Sequence, residues 1–319
     1  MNKRELDTKI RDLRIVCSLP REQWARSLQI LDIPDSIIEE AVRARAMTTV
    51  VAYLNEEYRA SLRPCRRAIP RPTPHCADTL PRLFGVEIEC FNASRSAIIE
   101  SAAAEGLSIQ SSAYNHRDEG FAKIVSDGSI NGVEPNEVVM PPLDNFSDLI
   151  KVTRALRAAG AKVNRTCGLH VHIDARRMPP RQAVRIAQNY YHLRDLINAS
   201  LAPSRRDNTY CHICVFNYTE AQVNELPQFE SWSELLLHYS SRYLAVNFQA
   251  YARHKTLEFR QHQGSINFSK IKRWVLFIMS LVEWSSTHIL TADVHEKSDP
   301  ALNGLHIELL RELPENSRD

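Results

Sequence analysis

The sequence predicts a mixed α+β protein in which three strands of one sheet share a charged face. In each strand, apolar residues alternate with carboxylates, imidazoles or a guanidinium, which is the period-two pattern of a β-strand with two different faces. Helical periodicity dominates the first 60 residues and several later segments. The three charged strands are predicted at residues 83–91, 167–174 and 255–262.

The composition is that of an ordinary globular chain. Of the 319 residues, 44% are hydrophobic, and the net charge of +2 favours no class of partner. The charged start of the chain predicts no secretory signal, and the longest apolar run, Trp274–Val282, is too short to cross a membrane. We therefore expect a cytoplasmic protein that does not bind membranes.

The cysteines support the same compartment. Seven of them are scattered along the chain, an odd number that is typical of reduced thiols rather than of a disulfide framework. Cys211 and Cys214 have the spacing of half a zinc site, but no second pair of this kind exists. Small buried thiols are the favoured interpretation.

Residues 1–63 are predicted to form a small all-helical N-terminal domain. Asp35 caps a helix with glutamates in its first turn, and apolar residues recur at helical spacing through Leu54. We interpret this domain as a unit that docks on the main domain or on a protein partner. A DNA-binding helix-turn-helix is the alternative, but acids interspersed among the basic residues argue against nucleic acid.

Residues 64–81 are predicted to be a Pro/Arg-rich linker. Five prolines fix φ and remove backbone donors, which favours an extended, exposed chain. The main domain, residues 82–319, follows. Its oligomeric state is left open, and an oligomer is compatible with the sequence.

The first charged strand carries two carboxylates on one face. Glu87 and Glu89 are two residues apart, so their side chains point the same way and repel each other. Divalent cations between them would remove this repulsion. A solvated edge strand is the alternative.

Connecting elements of ordinary pattern follow. Two acids lie at strand ends among them, Asp127 in a turn and Glu137 at the start of a short strand. The predicted elements are a helix over 94–105, strands over 107–114 and 121–125, a turn near 118–120, a strand over 137–143 that prolines end, and an amphipathic helix over 144–159. Gly106 and Gly160 are expected to end these two helices.

The second charged strand contains two imidazoles. Three apolar residues alternate with His170, His172 and Asp174. Histidines that are merely exposed, or satisfied by hydrogen bonds, are the alternative to a metal site. A helix that begins with prolines is predicted to follow over 179–201.

The third charged strand adds a guanidinium. Leu257 and Phe259 alternate with Glu258, Arg260 and His262. The neighbouring predictions are loops and a short helix over 203–232, a helical segment over 232–238 and an apolar helix over 269–288.

One sheet with a shared charged face accounts for all three strands. Oxygen-rich sites with one imidazole suit Mg²⁺ or Mn²⁺ better than zinc. An arginine beside a metal-binding carboxylate suits phosphate, so the combination indicates phosphoryl transfer from a nucleotide. Because the sequence has no glycine-rich phosphate loop, metals and side chains would have to hold the phosphates.

Four motifs occur in the following order along the chain: Gly85-Val-Glu-Ile-Glu89, Asp127-Gly-Ser with Glu137 and Pro141-Pro-Leu, Cys167-Gly-Leu-His-Val-His172, and Leu257-Glu-Phe-Arg260. Together they resemble the motifs of the amidoligase family of carboxylate–amine ligases, which include glutamine synthetase and glutamate–cysteine ligase. The resemblance covers residues 83–285 and implies a curved, mainly antiparallel sheet of the glutamine synthetase type, backed by helices, with ATP and metals on its concave face.

The resemblance also implies which residues hold the metals. The metal at the ATP phosphates would be bound by Glu87, His170 and Glu258. The metal nearer the amine and carboxylate substrates would be bound by Glu89, Asp127 and Glu137, with Glu134 as the alternative to Glu137.

Three residues are implied to take part in catalysis: Arg260, Glu137 and His172. Arg260 would neutralise the transferring γ-phosphoryl group, and His172 would lie on the nucleotide side. Glu87 and Glu258 would contact ATP together with these two. No motif fixes the arginine that binds the substrate carboxylate, for which the candidates are Arg205, Arg206 and Arg242.

The implied reaction uses ATP to convert a carboxylate into an acyl phosphate, from which an amine forms an amide, either peptide or isopeptide. The carboxylate and the amine could belong to an amino acid, a peptide or a protein terminus. Two alternatives remain at this point. One is a metal-dependent phosphotransferase or hydrolase on the same fold, and the other is a non-catalytic protein-binding module.

Overall fold

The structure is a computed structural model that describes most of the main domain and parts of the N-terminal region. The described residues are 9–13, 16, 23–31, 33–44, 47, 50–51, 53–54, 80–112, 120–206, 208–213 and 220–311. Three predictions fall outside them: nearly all of the linker over 64–81, most of the turn near 118–120, and Cys214 of the half zinc site.

A mostly antiparallel open sheet forms the centre of the described main domain and confirms the α+β class. Only β2 and β3 pair in parallel among its seven strands. In spatial order the strands are β2 (Ile109–Ser111), β3 (Ala122–Val125), β4 (Asn136–Val139), β1 (Phe84–Cys90), β5 (Gly168–Asp174), β7 (Thr256–Gln263) and β6 (Val246–Asn247).

Helices surround the sheet. The described helices are α1 (Trp24–Ile30), α2 (Asp35–Ala44), α3 (Arg95–Ala104), α4 (Ser147–Ala158), α5 (Pro180–His192), α6 (Arg194–Ala199), α7 (Pro203–Arg206), α8 (Glu220–Asn224), α9 (Trp232–His238), α10 (Ala250–His254) and α11 (Phe268–Trp284), with 3₁₀ turns at Pro300–Leu302 and Ile307–Leu309. Side-chain caps start several of them, for example Ser94 at α3 and Asn267 at α11. The helix predicted over 179–201 is two helices, because the backbone leaves helical geometry at Leu193.

One hydrophobic core joins the sheet to the helices. Val86, Val171 and Phe259 from three adjacent strands are fully buried together with Leu149 of α4 and Phe277 of α11. Since successive residues of a strand point to opposite faces, the residues between these apolar ones face away from α4 and α11. Among the described residues, no helix combines the length and the apolar character that a membrane span requires.

The described N-terminal residues have a small core of their own. Leu28 and Leu54 are buried there, and α1 packs against α9 and α10 of the main domain. The hydroxyl of Ser233 donates a buried hydrogen bond of 2.6 Å to Asp12 Oδ2. A separate domain over residues 1–63 stays a prediction, because much of that range lies outside the described residues.

A register shift in the β5–β7 pair decides which residues of β7 face the charged side. Val171 pairs with Phe259, but Leu169 pairs with His262, so β7 carries one extra residue at this point. His262 therefore lies on the apolar face and packs against the ring of Trp274, with ring centroids 5.0 Å apart. The expectation that His262 shares the charged face is wrong.

Candidate active site

Directly paired residues of four central strands build a charged face on the sheet. Partners in an antiparallel pair project to the same side, so register alone brings these side chains together. All are buried except Glu87, which is partly exposed. The pairs are Glu87 with His170, Glu89 with Glu137, and His172 with Glu258.

Glu87, His170 and Glu258 form a first group that could hold a metal ion. His170 Nδ1 lies 3.0 Å from Glu87 Oε2 and 3.6 Å from Glu258 Oε1. One ligand atom from each residue lies within 4.8 Å of the other two. A set of two carboxylates and one imidazole at this spacing has the donors and the room that a divalent cation needs.

A second group shares the same histidine. His170 Nε2 lies 3.4 Å from Glu89 Oε1, and His170 Nδ1 lies 4.0 Å from Glu137 Oε1. One ligand atom from each of Glu89, Glu137 and His170 lies within 4.8 Å of the other two. The backbone N–H of Gly168 donates to Glu89 Oε2 at 2.6 Å and fixes the orientation of that carboxylate.

The two remaining acids expected near the second metal lie further out. Asp127 lines one cavity together with Glu89, Glu137 and His170, but it is partly exposed, its Oδ1 accepts a hydrogen bond from the N–H of Ser129, and it belongs to neither group. Its role as a ligand stays a prediction. Glu134 is exposed and does not line that cavity, whereas Glu137 belongs to the second group.

Arg260 and Asn247 engage both oxygens of Glu258. Arg260 Nη1 donates to Glu258 Oε1, and Asn247 Nδ2 donates to Glu258 Oε2 at 2.6 Å. Arg260 Nε donates to the carbonyl of Tyr210 at 3.3 Å. The guanidinium is therefore held between a candidate metal ligand and a loop.

The crowding of charge shifts the pKa values on this face. Burial and then the charges of Glu87 and Glu89 raise the pKa of Glu137 well above its usual range. Burial opposes ionisation of Glu87 and Glu258 as well, but His172 and His170 together at Glu87, and Arg260 with the same two histidines at Glu258, outweigh burial and lower the pKa values of both carboxyl groups. In the absence of a cation, protonation of Glu137 would reduce the repulsion among these carboxylates.

His172 lies beside the first group. Its Nδ1 is 2.9 Å from the Thr256 hydroxyl, and its buried Nε2 lies 3.3 Å from Glu87 Oε1 without a hydrogen-bonding orientation. Burial lowers the pKa of this imidazole, but Glu87 and Glu258 together outweigh burial and raise it.

Three cavities meet at Glu87. The first has a volume of about 170 Å³, and its mostly apolar lining includes Leu83, Pro141 and Pro142. The second, of about 430 Å³, is lined by Arg253 and His254 of α10 and by Arg242, Glu258 and Arg260. The third, of about 660 Å³, contains most of the ligands of both groups.

Two of the three arginines considered for binding the substrate carboxylate line the third cavity. Arg205 and Arg242 line it, whereas Arg206 does not and instead donates to the carbonyl of Leu201. Arg205 is only 4% exposed and donates to the carbonyl of Arg260 at 2.7 Å, so it also supports β7.

Sequence reasoning missed two residues that line these cavities. Lys123 of β3 is buried and lines the first cavity, and His254 at the end of α10 lines the first and second. A lysine inside the apolar strand Ala122–Val125 was the available signal for the former. No local signal marked His254.

The described cysteines take no part in either group. Cys90, Cys167 and Cys211 are buried and unpaired, and burial raises the pKa of Cys90 to about 12. These three agree with the interpretation of small buried thiols.

A family model described as "Putative amidoligase enzyme" matches residues 80–282. The matched range contains both groups of candidate ligands together with His172 and Arg260. The comparison with curated proteins gives no match.

Proposed function

The chain belongs to the amidoligase family, and from this premise we propose that it is an ATP- and Mg²⁺-dependent ligase that joins a carboxylate to an amine. One observation carries the proposal. Glu87, His170 and Glu258, from three different strands, offer ligand atoms within 4.8 Å of one another, beside the guanidinium of Arg260.

The donor set fits the proposed cations. Glu87, His170 and Glu258 would hold one Mg²⁺ or Mn²⁺, and Glu89 and Glu137, with Asp127 nearby, would hold a second. The raised pKa of Glu137 supports this, because a cation would relieve the same repulsion that a proton relieves. When bound, the cations neutralise phosphate oxygens and allow two anions to approach each other.

The order of the cavities suggests how ATP lies. The mostly apolar first cavity suits the nucleobase, and His172 lies at the junction of the first and second cavities. The triphosphate would then run past Glu87 and Glu258 towards Arg260, which would neutralise the γ-phosphoryl group. The third cavity is left for the carboxylate and the amine.

The proposed chemistry has two steps. An oxygen of the substrate carboxylate attacks the γ-phosphorus, and ADP leaves with the electrons of the broken P–O bond. The amine nitrogen then attacks the acyl carbon of the acyl phosphate, phosphate leaves, and the nitrogen loses a proton. Glu137, which lies on the same charged face, is the residue that we propose receives this proton.

The test measures ADP release with pooled carboxylates and amines in the presence of Mg²⁺. The wild type and a control variant at an exposed acid, Glu308→Ala, should release ADP at the same rate. The rate of ADP release by Glu87→Ala should be at least 10²-fold lower. Equal turnover in Glu87→Ala and the wild type would sink the proposal. Mass spectrometry of the products distinguishes a ligase, which yields an amide, from a phosphotransferase or a hydrolase.

A further inference from the structure

Two exposed tyrosines form the rim of the third cavity. Tyr210 is 53% exposed and Tyr243 is 38% exposed, and their rings meet nearly at right angles with centroids 5.7 Å apart. The Arg242 guanidinium lies over the Tyr243 ring, 5.2 Å from its centroid. Tyrosine and arginine are enriched where proteins bind other polypeptides.

Hydrogen bonds to backbone carbonyls fix this rim next to the candidate active site. The carbonyl of Tyr210 accepts from Arg260 Nε at 3.3 Å. The carbonyl of Tyr243 accepts from the N–H of His212 at 2.9 Å, and the carbonyl of His212 accepts from the N–H of Ala245 at 2.6 Å. The two rings are therefore presented by segments that are tied to each other and to Arg260.

Besides the carboxylates proposed to hold the cations, basic and polar side chains line the third cavity. Arg165 is exposed in this cavity and forms no ion pair with any residue that the structure describes. Asn131, Thr166 and Asn208 add amide and hydroxyl groups to the same lining. Such a surface complements a chain that carries carboxylates and backbone amides.

The third cavity is also large. Its volume of about 660 Å³ is typical of sites for ligands of many atoms. Because both rings are more than a third exposed at its mouth, a free amino acid bound deep beside Arg260 would gain little from them.

We propose that the carboxylate substrate is carried by a polypeptide, whose neighbouring residues pack on the Tyr210–Tyr243 rim while its reacting carboxylate reaches Arg260. The inference rests on the proposed ligase function and adds the class of the acyl substrate. Arg165 and Arg242 bind further carboxylates of the same chain, so acidic peptides are preferred.

A hydroxylamine trap tests the carboxylate side without knowledge of the amine. Hydroxylamine nitrogen attacks the acyl carbon of an acyl phosphate, phosphate leaves, and a hydroxamate is measured by its ferric complex. With ATP and Mg²⁺, a pool of N-acetylated acidic pentapeptides should give a kcat/KM at least tenfold above that of the pooled free amino acids. Free amino acids performing as well as the peptides would overturn the inference.

Tyrosine variants test the rim itself. Tyr210→Ala and Tyr243→Ala should each lower kcat/KM for the peptide pool by about tenfold, the effect of losing about 1.4 kcal/mol of contact. The KM for ATP should stay within twofold. Tyr210→Phe and Tyr243→Phe keep the rings and should keep most activity, and Ile289→Ala, a remote exposed apolar residue, serves as the control. Unchanged peptide turnover in both alanine variants would contradict the proposal that the rim binds the peptide.

Binding separates failure of this inference from failure of the proposed function. Fluorescence anisotropy of a labelled acidic peptide pool needs no catalysis. If no pool yields hydroxamate, the ligase proposal fails, but peptide binding that weakens about tenfold in the two alanine variants still supports the rim. Equal binding by the wild type and by both variants overturns it.

Discussion

At the scale of single residues, the proposed mechanism depends on Arg260. Its guanidinium donates to Glu258 and to the carbonyl of Tyr210, so one planar group faces both a candidate metal ligand and the loop of the rim. A lysine keeps the positive charge but cannot donate in two fixed directions.

Arg260→Lys is therefore expected to lower kcat by about 10²-fold, the usual cost of removing one donor to a developing negative charge. Arg206→Lys, an arginine outside the cavity, should change kcat by less than twofold. Steady-state kinetics of ADP release compare the two variants. Equal kcat values for Arg260→Lys and the wild type would remove Arg260 from the mechanism.

A second residue-scale prediction concerns His262, which lies among apolar groups. Burial lowers the pKa of His262 to about 4, below the value of about 6.5 for a free histidine. Between these two values the unfolded chain binds a proton that the folded protein does not, so stability is lost as the pH falls.

The expected contribution of His262 is a loss of about 2 kcal/mol in the free energy of unfolding between pH 7 and pH 5. Urea denaturation at both pH values measures it. His262→Gln should be less stable at pH 7 but should lose less on acidification, whereas His295→Gln, an exposed control, should follow the wild type. Parallel pH profiles for His262→Gln and the wild type would contradict the assignment.

At the scale of elements, the start of β5 controls the geometry of His170. A Cβ at Gly168 would lie 3.0 Å from His170 Nε2 and 3.2 Å from Arg205 Nη2, closer than real contacts tolerate without movement. At Gly85 on β1 the nearest atom, His172 Cβ, would be 3.5 Å away, an ordinary contact.

Gly168→Ala is accordingly expected to weaken Mn²⁺ binding by about tenfold, the lower end of the effect of disturbing the support of a metal ligand. Gly85→Ala is the matched control on the same face and should bind Mn²⁺ as the wild type does. Titration followed by the electron paramagnetic resonance of free Mn²⁺ gives both affinities. The idea fails if the two variants bind equally well.

The elements also show how far sequence reasoning reached. The alternation in β1, β5 and β7 predicted a shared charged face, because a strand's side chains alternate whatever its partner is. The register shift that turns His262 to the other face depends on how β5 and β7 meet, which neither strand encodes alone. Arg205 likewise lies on the four-residue helix α7, and only the packing of α7 against β7 brings it to the cavity.

At the scale of the whole molecule, ligands that bind only the folded state should stabilise it. Mg²⁺ with ATP at about 100 times their dissociation constant should add about 2.7 kcal/mol, which corresponds to a rise in Tm of about 5 °C for a chain of this size. ATP with a chelator, and Glu87→Gln with Mg²⁺ and ATP, should shift the Tm far less. A full shift without metal would mean that the nucleotide binds elsewhere.

The central claim is that Glu87, His170 and Glu258 bind one divalent ion that holds the phosphates of ATP. A crystal grown with Mn²⁺ and a non-hydrolysable ATP analogue tests it most directly, through the anomalous scattering of manganese. The account predicts an anomalous peak within bonding distance of all three side chains, with a phosphate oxygen as a further ligand. A bound nucleotide with no manganese between these residues, or with its phosphates on another surface, would contradict it.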